Sequence, residues 1–237
     1  METRSILNKK DILFLCGVAI FFFGCIASSH RTARTMKEGQ VSLSGSYLQA
    51  NNLVHSDAKP IQLIGGDARL GAGRGVDMGL GHSWDISENN NAQYSTIWGD
   101  VKFQLTNLDQ EVGVPIVSMG LMKGYVYDDN IKNHITTLPL MISLPLNDYI
   151  TPTIMYRHEF VSSEFIPQNF ENPRSTFVFG LECNLSKPAS DRWTPKLGIS
   201  VGRFNSLTGG EGDAGMILNI GLSLDSPWKA QSDPPSQ

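Results

Sequence analysis

The sequence has few charged residues and few cysteines. Asp, Glu, Lys and Arg make up 18% of its 237 residues, against about 25% in typical soluble domains. Low charge argues against an intrinsically disordered chain, and a net charge of -4 argues against a nucleic-acid-binding protein. Uncharged apolar runs of the ~20 residues that a membrane-spanning helix needs are also missing. Glycine is abundant, with 23 residues, and apolar residues make up 41%. This composition is typical of a β-rich protein.

Residues 1–24 have the features of an export signal. Arg4, Lys9 and Lys10 form a basic start, and an uncharged apolar stretch follows over residues 12–24. That stretch is too short to anchor a protein in a bilayer, but it fits the apolar core of a signal peptide. We therefore predict that residues 1–24 are a signal peptide.

The end of this stretch, Phe22-Phe23-Gly24-Cys25, resembles the lipobox of bacterial lipoproteins, although Phe22 and Phe23 replace the usual Leu and small residue. The resemblance implies a lipidated Cys25 that carries diacylglycerol and an N-acyl chain, followed by a polar tether over residues 25–38. No other cofactor is expected. The alternatives are ordinary cleavage after Ala27 or Ser28, or an uncleaved anchor. With Cys25 lipidated, Cys183 is left alone and no disulfide is predicted.

From Gly39 onward, apolar and polar residues alternate with a period of two, which is the pattern of half-buried β-strands. Segments of about ten residues separated by turns are the signature of a transmembrane β-barrel, and an even number of strands fits a bacterial single-chain barrel. We predict an all-β protein, an antiparallel up-and-down transmembrane β-barrel of about ten strands over residues 39–226 with a polar tail at 227–237. Eight or twelve strands are the alternatives. The predicted strands are 39–50, 59–70, 76–85, 93–105, 113–127, 134–145, 149–161, 175–185, 193–204 and 214–225.

Three further patterns refine this prediction. The connections at one end average roughly nine residues and those at the other roughly five to six, an asymmetry expected of such barrels. Aromatic residues near strand ends suggest girdles at both membrane interfaces. They are Tyr47, Trp84, Tyr94, Trp98, Tyr125, Tyr127, Tyr149, Trp193 and Phe204. Pro139, Pro145 and Pro152 should mark bulges or strand ends, because proline cannot donate a ladder hydrogen bond.

Charged residues recur on the face opposite the apolar one. In a small closed barrel this face points into the lumen, where opposite charges would pair, since an unpaired buried charge is very costly. These residues are either an ionic plug that fixes strand register, which we favour, or the lining of a narrow polar pore. The predicted lumen charges are Asp67, Arg69, Asp77, Asp100, Lys102, Arg157, Glu159, Glu182 and Lys196.

The first half of the chain resembles small bacterial outer-membrane β-barrel proteins. The resemblance rests on TARTMKEGQ, on PIQLIGGDARLGAGRGVDMGLG and on Asp100-Val101-Lys102-Phe103, and it covers most of residues 31–105. It implies the architecture and an outer-membrane location, and it supplies no mechanism. Outer-membrane lipid, the barrel-assembly machinery and the lipoprotein-processing machinery are the expected partners. No nucleic acid is expected, and no small-molecule ligand can be named.

Residues with catalytic or ligand-binding potential form no recognisable motif. Gly71 to Gly75 is followed by a period-two strand instead of the helix that a phosphate loop requires, so we predict a hairpin turn. The five histidines show no metal-binding spacing. His158 and Glu159 are adjacent and therefore point to opposite faces of a strand. No catalytic residue and no metal site are predicted.

Three functions remain open on the sequence alone. The leading hypothesis is a non-enzymatic outer-membrane barrel lipoprotein that serves envelope structure, surface interaction or narrow passage of solutes. The second is an outer-membrane barrel enzyme that acts on lipid or peptide, which would need a Ser–His or acid–His cluster at one rim. The third is a lipid-tethered periplasmic barrel that binds an apolar ligand, with its apolar face inward.

Overall fold

A computed structural model describes residues 31–51, 60–87, 95–127, 132–163, 174–205 and 214–228. Signal-peptide residues 1–24 and Cys25 lie outside these ranges. Ten strands form the described part of the chain, as predicted. They are β1 (Val41–Asn51), β2 (Ile61–Gly73), β3 (Val76–Asp85), β4 (Ser95–Gln104), β5 (Ile116–Tyr127), β6 (Lys132–Ser143), β7 (Ile150–Ser163), β8 (Arg174–Asn184), β9 (Thr194–Asn205) and β10 (Ala214–Asp225). Among the described residues, no helix is long and apolar enough to cross a bilayer.

The ten strands form one closed barrel. Each strand pairs antiparallel with the next along the chain, and β1 closes the sheet by pairing with β10. At this seam Ser42 lies opposite Asp225, and on the other side of β1 it lies opposite Arg69. The predicted antiparallel up-and-down barrel of ten strands is therefore confirmed.

The two ends of the barrel differ in what they contain. The terminal end holds the start of β1, the end of β10 and four strand connections, 74–75, 105–115, 144–149 and 185–193. The far end holds the other five connections. From the observed strand bounds, connections average about seven residues at the terminal end and about eight at the far end, so the predicted asymmetry in loop length largely disappears. The feature that distinguishes the two ends of the barrel is the position of the start of β1 and the end of β10.

The glycine-rich stretch between β2 and β3 forms a tight hairpin. The strands are joined by Arg74 and Gly75 alone, and Gly75 has a φ of 77°, a left-handed conformation that favours glycine. The register shifts between Gly71 and Gly73, which marks a bulge beside this turn. The glycine-rich stretch is followed directly by β3, as expected of a hairpin rather than a phosphate loop.

Pro139 lies inside β6, where we expected a bulge or a strand end. The pairs Met119–Leu140 and Met122–Thr137 flank it with the same register offset, so the β5–β6 ladder is interrupted without being shifted. The expectation of a bulge at this proline was wrong, because the strand gives up ladder bonds locally and keeps its direction. Pro139 faces the lumen beside Gly120, whose missing side chain leaves room for the proline ring.

The outer surface of the barrel is apolar. Alternate residues of nearly every strand point outward, and their large apolar side chains are exposed: Ile154, for example, is 57% exposed and Leu80 68%. These residues form the outer belt: Ile64, Leu70, Met78, Leu80, Ile97, Phe103, Met119, Leu121, Leu138, Leu140, Ile142, Ile154, Phe177, Phe179, Leu181, Ile199, Val201, Met216, Leu218, Ile220, Leu222 and Leu224. The alternative of a soluble barrel with an apolar inner face and charged outer face is thereby contradicted.

Ten of the twelve buried apolar residues in the described ranges form two clusters. One joins Leu48, Ala50, Leu63, Phe204 and Ile217 on β1, β2, β9 and β10. The other surrounds Ala33 and contains Ile116, Met141, Met155 and Val178. Trp98 and Phe204, which we predicted in an interfacial girdle, are 3% and 2% exposed and point inward. Proximity to a strand end did not reveal which face of the strand they occupy.

The Trp98 indole provides a test of interior packing. A Cβ atom added at Gly81 would collide with this ring, whereas one added at Gly45 would make only an ordinary contact, 3.6 Å from the Gly65 carbonyl oxygen. We expect Gly81→Ala to lower the free energy of unfolding by about 1–3 kcal/mol through overpacking. Gly45→Ala should change it by less than about 1 kcal/mol. Urea unfolding of the folded barrel in detergent measures both, and equal effects would contradict this packing.

Candidate functional site in the charged lumen

All nine predicted lumen charges point into the barrel. Six of them are buried: Asp67, Arg69, Asp77, Lys102, Arg157 and Glu159. The side chains of Asp100, Glu182 and Lys196 are only 12–14% exposed. The lumen therefore concentrates charge in a chain that has little of it, and each charge needs a partner close by.

The centre of this charge network lies on β2, β3 and β4. The Arg69 guanidinium bridges the carboxylates of Asp77 and Asp100. Asp77 is fully buried and also accepts an ion pair from the Lys102 ammonium at 3.3 Å. The pairs are cross-strand neighbours: Arg69 and Asp100 flank Gly79, and Asp77 lies opposite Lys102. Gly79 permits this arrangement, because a Cβ there would strike both Arg69 and Asp100.

A second group of charges lies across the lumen on β8, β9 and β10. The Lys196 ammonium lies 3.1 Å from Glu182 and 2.9 Å from Asp225, so one cation is held between two carboxylates. A separate, looser pair joins Arg157 to Glu159 on β7 at 3.6 Å. Asp225 was not predicted, although it continues the alternation of β10 at the last residue of that strand.

The segment before β1 lies inside the barrel and is named here the lumen segment, residues 31–37. Two of its carbonyl oxygens, those of Thr32 and Arg34, accept hydrogen bonds from the Lys102 ammonium at 3.1 and 2.7 Å. The Ala33 amide donates to the Ser143 hydroxyl at 2.7 Å, and Ala33 is fully buried. The barrel wall thus supplies the partners that backbone groups of an irregular buried segment require.

Arg31 connects the lumen segment to the charge network. Its guanidinium lies 2.6 Å from Asp67 and 3.2 Å from Asp100, and it stacks over the Trp98 ring at 4.7 Å from the centroid. At the other end of the segment, the Gly39 amide donates to the Gly71 carbonyl oxygen at 2.9 Å. From Arg31, deep in the lumen, the segment therefore runs toward the terminal end of the barrel, where β1 begins.

Sequence reasoning placed residues 25–38 in a tether and missed this segment. Residues 31–37 of the predicted tether are instead packed into the lumen. One signal was available: the nine predicted charges comprise five carboxylates and four cations, which leaves one carboxylate in need of a partner. Arg31 supplies a cation, but it lies far from Asp67 and Asp100 in sequence, so periodicity could not identify it.

Two cavities remain beside the lumen segment. The larger, of about 110 Å³, lies at the terminal end between the lumen segment and the walls of β1, β2, β8, β9 and β10; we name it the vestibule. The smaller, of about 40 Å³, lies between Arg31 and the side chains of Met122, Thr137 and Arg157. Burial and the neighbouring Arg34 lower the pKa of Lys37, which lines the vestibule.

Three histidines face outward near the far end, each beside a tyrosine. His82 Nε2 lies 3.1 Å from the Tyr127 hydroxyl, and the His134 ring packs edge-on against Tyr125. His158 Nδ1 lies 3.4 Å from the Tyr156 hydroxyl, which also lies 3.1 Å from the Ser175 hydroxyl. Within the described ranges, no group of three or more His, Cys, Asp and Glu residues is arranged to hold a metal ion.

No protein-family model matches the chain, and no curated protein matches it significantly. Among solved structures, it is similar to the N-terminal β-barrel domain of Pseudomonas aeruginosa OprF, at 9% identity over 80% of this chain and 99% of that one, with a TM-score of 0.35. It is similar to outer-membrane expressed OmpT of Vibrio cholerae, at 9% identity over 81% and 99%, with a TM-score of 0.35. It is also similar to the translocator domain of the autotransporter NalP from Neisseria meningitidis, at 10% identity over 95% and 100%, with a TM-score of 0.39. The likeness concerns barrel architecture, which the strand pairing establishes by itself.

The fully buried Asp77 tests the charge network. Asp77→Ala leaves Arg69 and Lys102 short of a carboxylate, and we expect the free energy of unfolding to fall by about 3–5 kcal/mol. The matched control is Asp109→Ala, which removes a carboxylate that is 77% exposed and paired with Arg74. It should cost less than about 1 kcal/mol. Urea unfolding of both variants gives the comparison, and a small loss for Asp77→Ala would show that the network contributes little.

Proposed function

We propose that this protein is an outer-membrane β-barrel of non-enzymatic type whose lumen is closed by its own lumen segment. It serves envelope structure or interaction at the cell surface and is not an open diffusion pore. The observation that carries this proposal is the outer belt, an apolar surface formed by nine of the ten strands, β2 to β10, around a closed barrel with a charged interior.

The outer belt supports a membrane location. Monomeric soluble proteins rarely expose contiguous apolar patches of more than a few hundred Å², whereas a membrane-spanning barrel needs an outward apolar band bordered by aromatic residues. Trp84, Tyr125 and Tyr127 point outward near the far end, and Tyr149 lies at the terminal end. The outer belt lies between the aromatic residues at the far end and Tyr149 at the terminal end, as a bilayer-spanning surface requires.

The contents of the lumen argue against free diffusion. Barrels with open aqueous channels typically have 16–18 strands, and a barrel of about eight is just wide enough for side chains to fill it. Here the lumen holds the lumen segment in addition to the inward side chains of ten strands. Ala33 of this segment is fully buried among apolar neighbours. The ionic plug that we favoured from the sequence is therefore proposed in an extended form, with the lumen segment as part of it.

Attachment by a lipid at Cys25 is part of the proposal. Cys25 lies six positions before Arg31 in the sequence. The lipid chains would add a hydrophobic anchor, worth about 0.8 kcal/mol per buried CH₂ group. The proposed partners are outer-membrane lipid, the barrel-assembly machinery and the lipoprotein-processing machinery, and a lipid-tethered periplasmic location is the alternative.

A second candidate function, hydrolysis of a lipid ester, is favoured by one cluster. The hydroxyl groups of Ser175 and Tyr156 and the ring of His158 form a continuous hydrogen-bonded series on the outward face near the far end. A hydroxyl close to a histidine is the usual arrangement for an activated nucleophile. The cluster faces the region where lipid headgroups would lie.

Membrane integration is tested on membranes from cells that express the protein. We expect the protein to resist extraction by carbonate and to migrate differently on a gel before and after boiling, since a closed barrel stays folded in detergent until it is heated. Ile154→Arg, in the outer belt, should lower the folded fraction, because arginine near the bilayer midplane costs about 2–4 kcal/mol. Release of the unaltered protein by carbonate would contradict the proposal.

Closure of the lumen is tested by conductance in planar bilayers. The unaltered barrel should show no steady current. Arg31→Ala removes the ion pairs to Asp67 and Asp100, so the lumen segment should leave more readily and brief openings should appear. Deletion of residues 31–37 should give longer openings, and Arg203→Ala, on the outer surface, should stay silent. If both lumen variants stay silent while still shifting on boiling, the lumen segment does not close a pore.

The esterase alternative is tested with a fluorescent fluorophosphonate, which labels activated serines. Labelling that is lost in Ser175→Ala and kept in Ser95→Ala, a serine at the same end on β4, would favour the enzyme. We expect no labelling above that of the boiled protein.

A further inference from the structure

The vestibule has an unusual excess of hydrogen-bond donors without partners. Among the described residues, the buried polar atoms that lack a partner include Arg34 Nε, Arg69 Nε and Thr194 Oγ1, and all three residues line the vestibule. One buried acceptor without a partner, Asn184 Oδ1, lines it as well. Thr194 is only 2% exposed. A buried donor without an acceptor costs about 1–3 kcal/mol, so three around one cavity indicate that the cavity holds an acceptor.

The charges around the vestibule are also unequal. Among the described residues, six cations lie in or beside it, and five carboxylates face them. The cations are Arg31, Arg34, Lys37, Arg69, Lys102 and Lys196. The carboxylates are Asp67, Asp77, Asp100, Glu182 and Asp225, and each is already within 3.3 Å of a cation other than Arg34 and Lys37. Asp109 also attracts Lys37, but it is exposed and already paired with Arg74. Arg34 and Lys37 are therefore the two cations that have no ion pair with the five carboxylates.

The backbone of Arg34 is fixed in place beside the vestibule, which suits its side chain to bind a ligand. Its carbonyl oxygen accepts the hydrogen bond from Lys102 at 2.7 Å, so its backbone is fixed to the wall of β4. Its guanidinium lines the vestibule. The guanidinium presents its donors in a planar fork that matches the oxygens of phosphate and carboxylate. Lys37, three residues further along, adds a second cation to the same cavity.

The size of the vestibule fits a small polyatomic ion. A single water needs roughly 10–15 Å³ of such space, and the vestibule has about 110 Å³. The vestibule is also lined by Pro188, from the connection after β8, and by Trp228, from the tail after β10. These two residues place the vestibule at the terminal end of the barrel. A solute would therefore reach it from the end of the barrel at which β1 starts and β10 ends.

We propose that the vestibule is a binding site for a small oxyanion of the phosphate class, held by Arg34, Lys37 and the Thr194 hydroxyl. Phosphate presents several acceptor oxygens at once, which suits a cavity in which donors converge from the lumen segment and from β2 and β9. The ion would also offset the surplus positive charge of Arg34 and Lys37. This inference goes beyond the proposed function, because binding at the vestibule requires neither conductance nor a lipid at Cys25.

The test is isothermal titration of the folded full-length protein in detergent with inorganic phosphate, at constant ionic strength set with chloride. Each sample is first shown to shift its gel mobility on boiling, so a failure to bind is distinguished from a failure to form the barrel. We expect saturable binding to the unaltered protein. Arg34→Gln should weaken it about tenfold or more, because it removes charge-assisted hydrogen bonds, and Thr194→Val should weaken it to a smaller extent.

The matched control is Arg192→Gln. It makes the same change of charge at the same end of the barrel, but Arg192 is exposed and does not line the vestibule, so phosphate binding should be unchanged. Three outcomes would overturn the proposal: no binding to the unaltered barrel, equal loss in Arg34→Gln and Arg192→Gln, or the same heat from added chloride, which would show a general salt effect. Binding that survives Arg34→Gln would place the ion elsewhere.

Discussion

The ammonium group of Lys102 ties the barrel wall to the segment inside it. It is buried, and its donors go to the Asp77 carboxylate and to the carbonyl oxygens of Thr32 and Arg34. A buried ammonium needs all of these acceptors, because desolvation without them would cost several kcal/mol. The wall offers one carboxylate, and the lumen segment completes the set. The position of Arg31, the shape of the vestibule and the closure of the lumen all follow from this arrangement.

The alternation of apolar and polar residues predicted the strands and their faces well, because each strand lies between an apolar exterior and a polar interior. All ten strands are present, and β3 and β10 begin and end at the predicted residues. The period of two also placed the nine charges on the inward face. Trp98 and Phe204 lie an even number of residues from Asp100 and Lys196 on the same strands, so the same period indicates the inward face for both. The girdle prediction failed for them because it rested on proximity to a strand end alone.

The lumen segment could not be predicted from periodicity, because its structure depends on contacts that are distant in sequence. Ala33 meets Ser143, and Thr35 meets Gln104. Residues 31–37 have no regular alternation and look like a tether when taken alone. Only the count of the nine predicted lumen charges, four cations against five carboxylates, points to a missing partner.

The seam between β1 and β10 joins residues separated by almost the whole chain, with Ser42 opposite Asp225. A contact of this range closes a very long loop, and such contacts form late in folding. Until the last strand pairs with the first, the sheet has two open edges, and open edges invite pairing with other chains. Closure of the barrel therefore requires all ten strands, because a chain that ends even one strand early has no partner for β1. The last twelve residues of the barrel decide whether the preceding nine strands become a sealed cylinder or an aggregation-prone sheet.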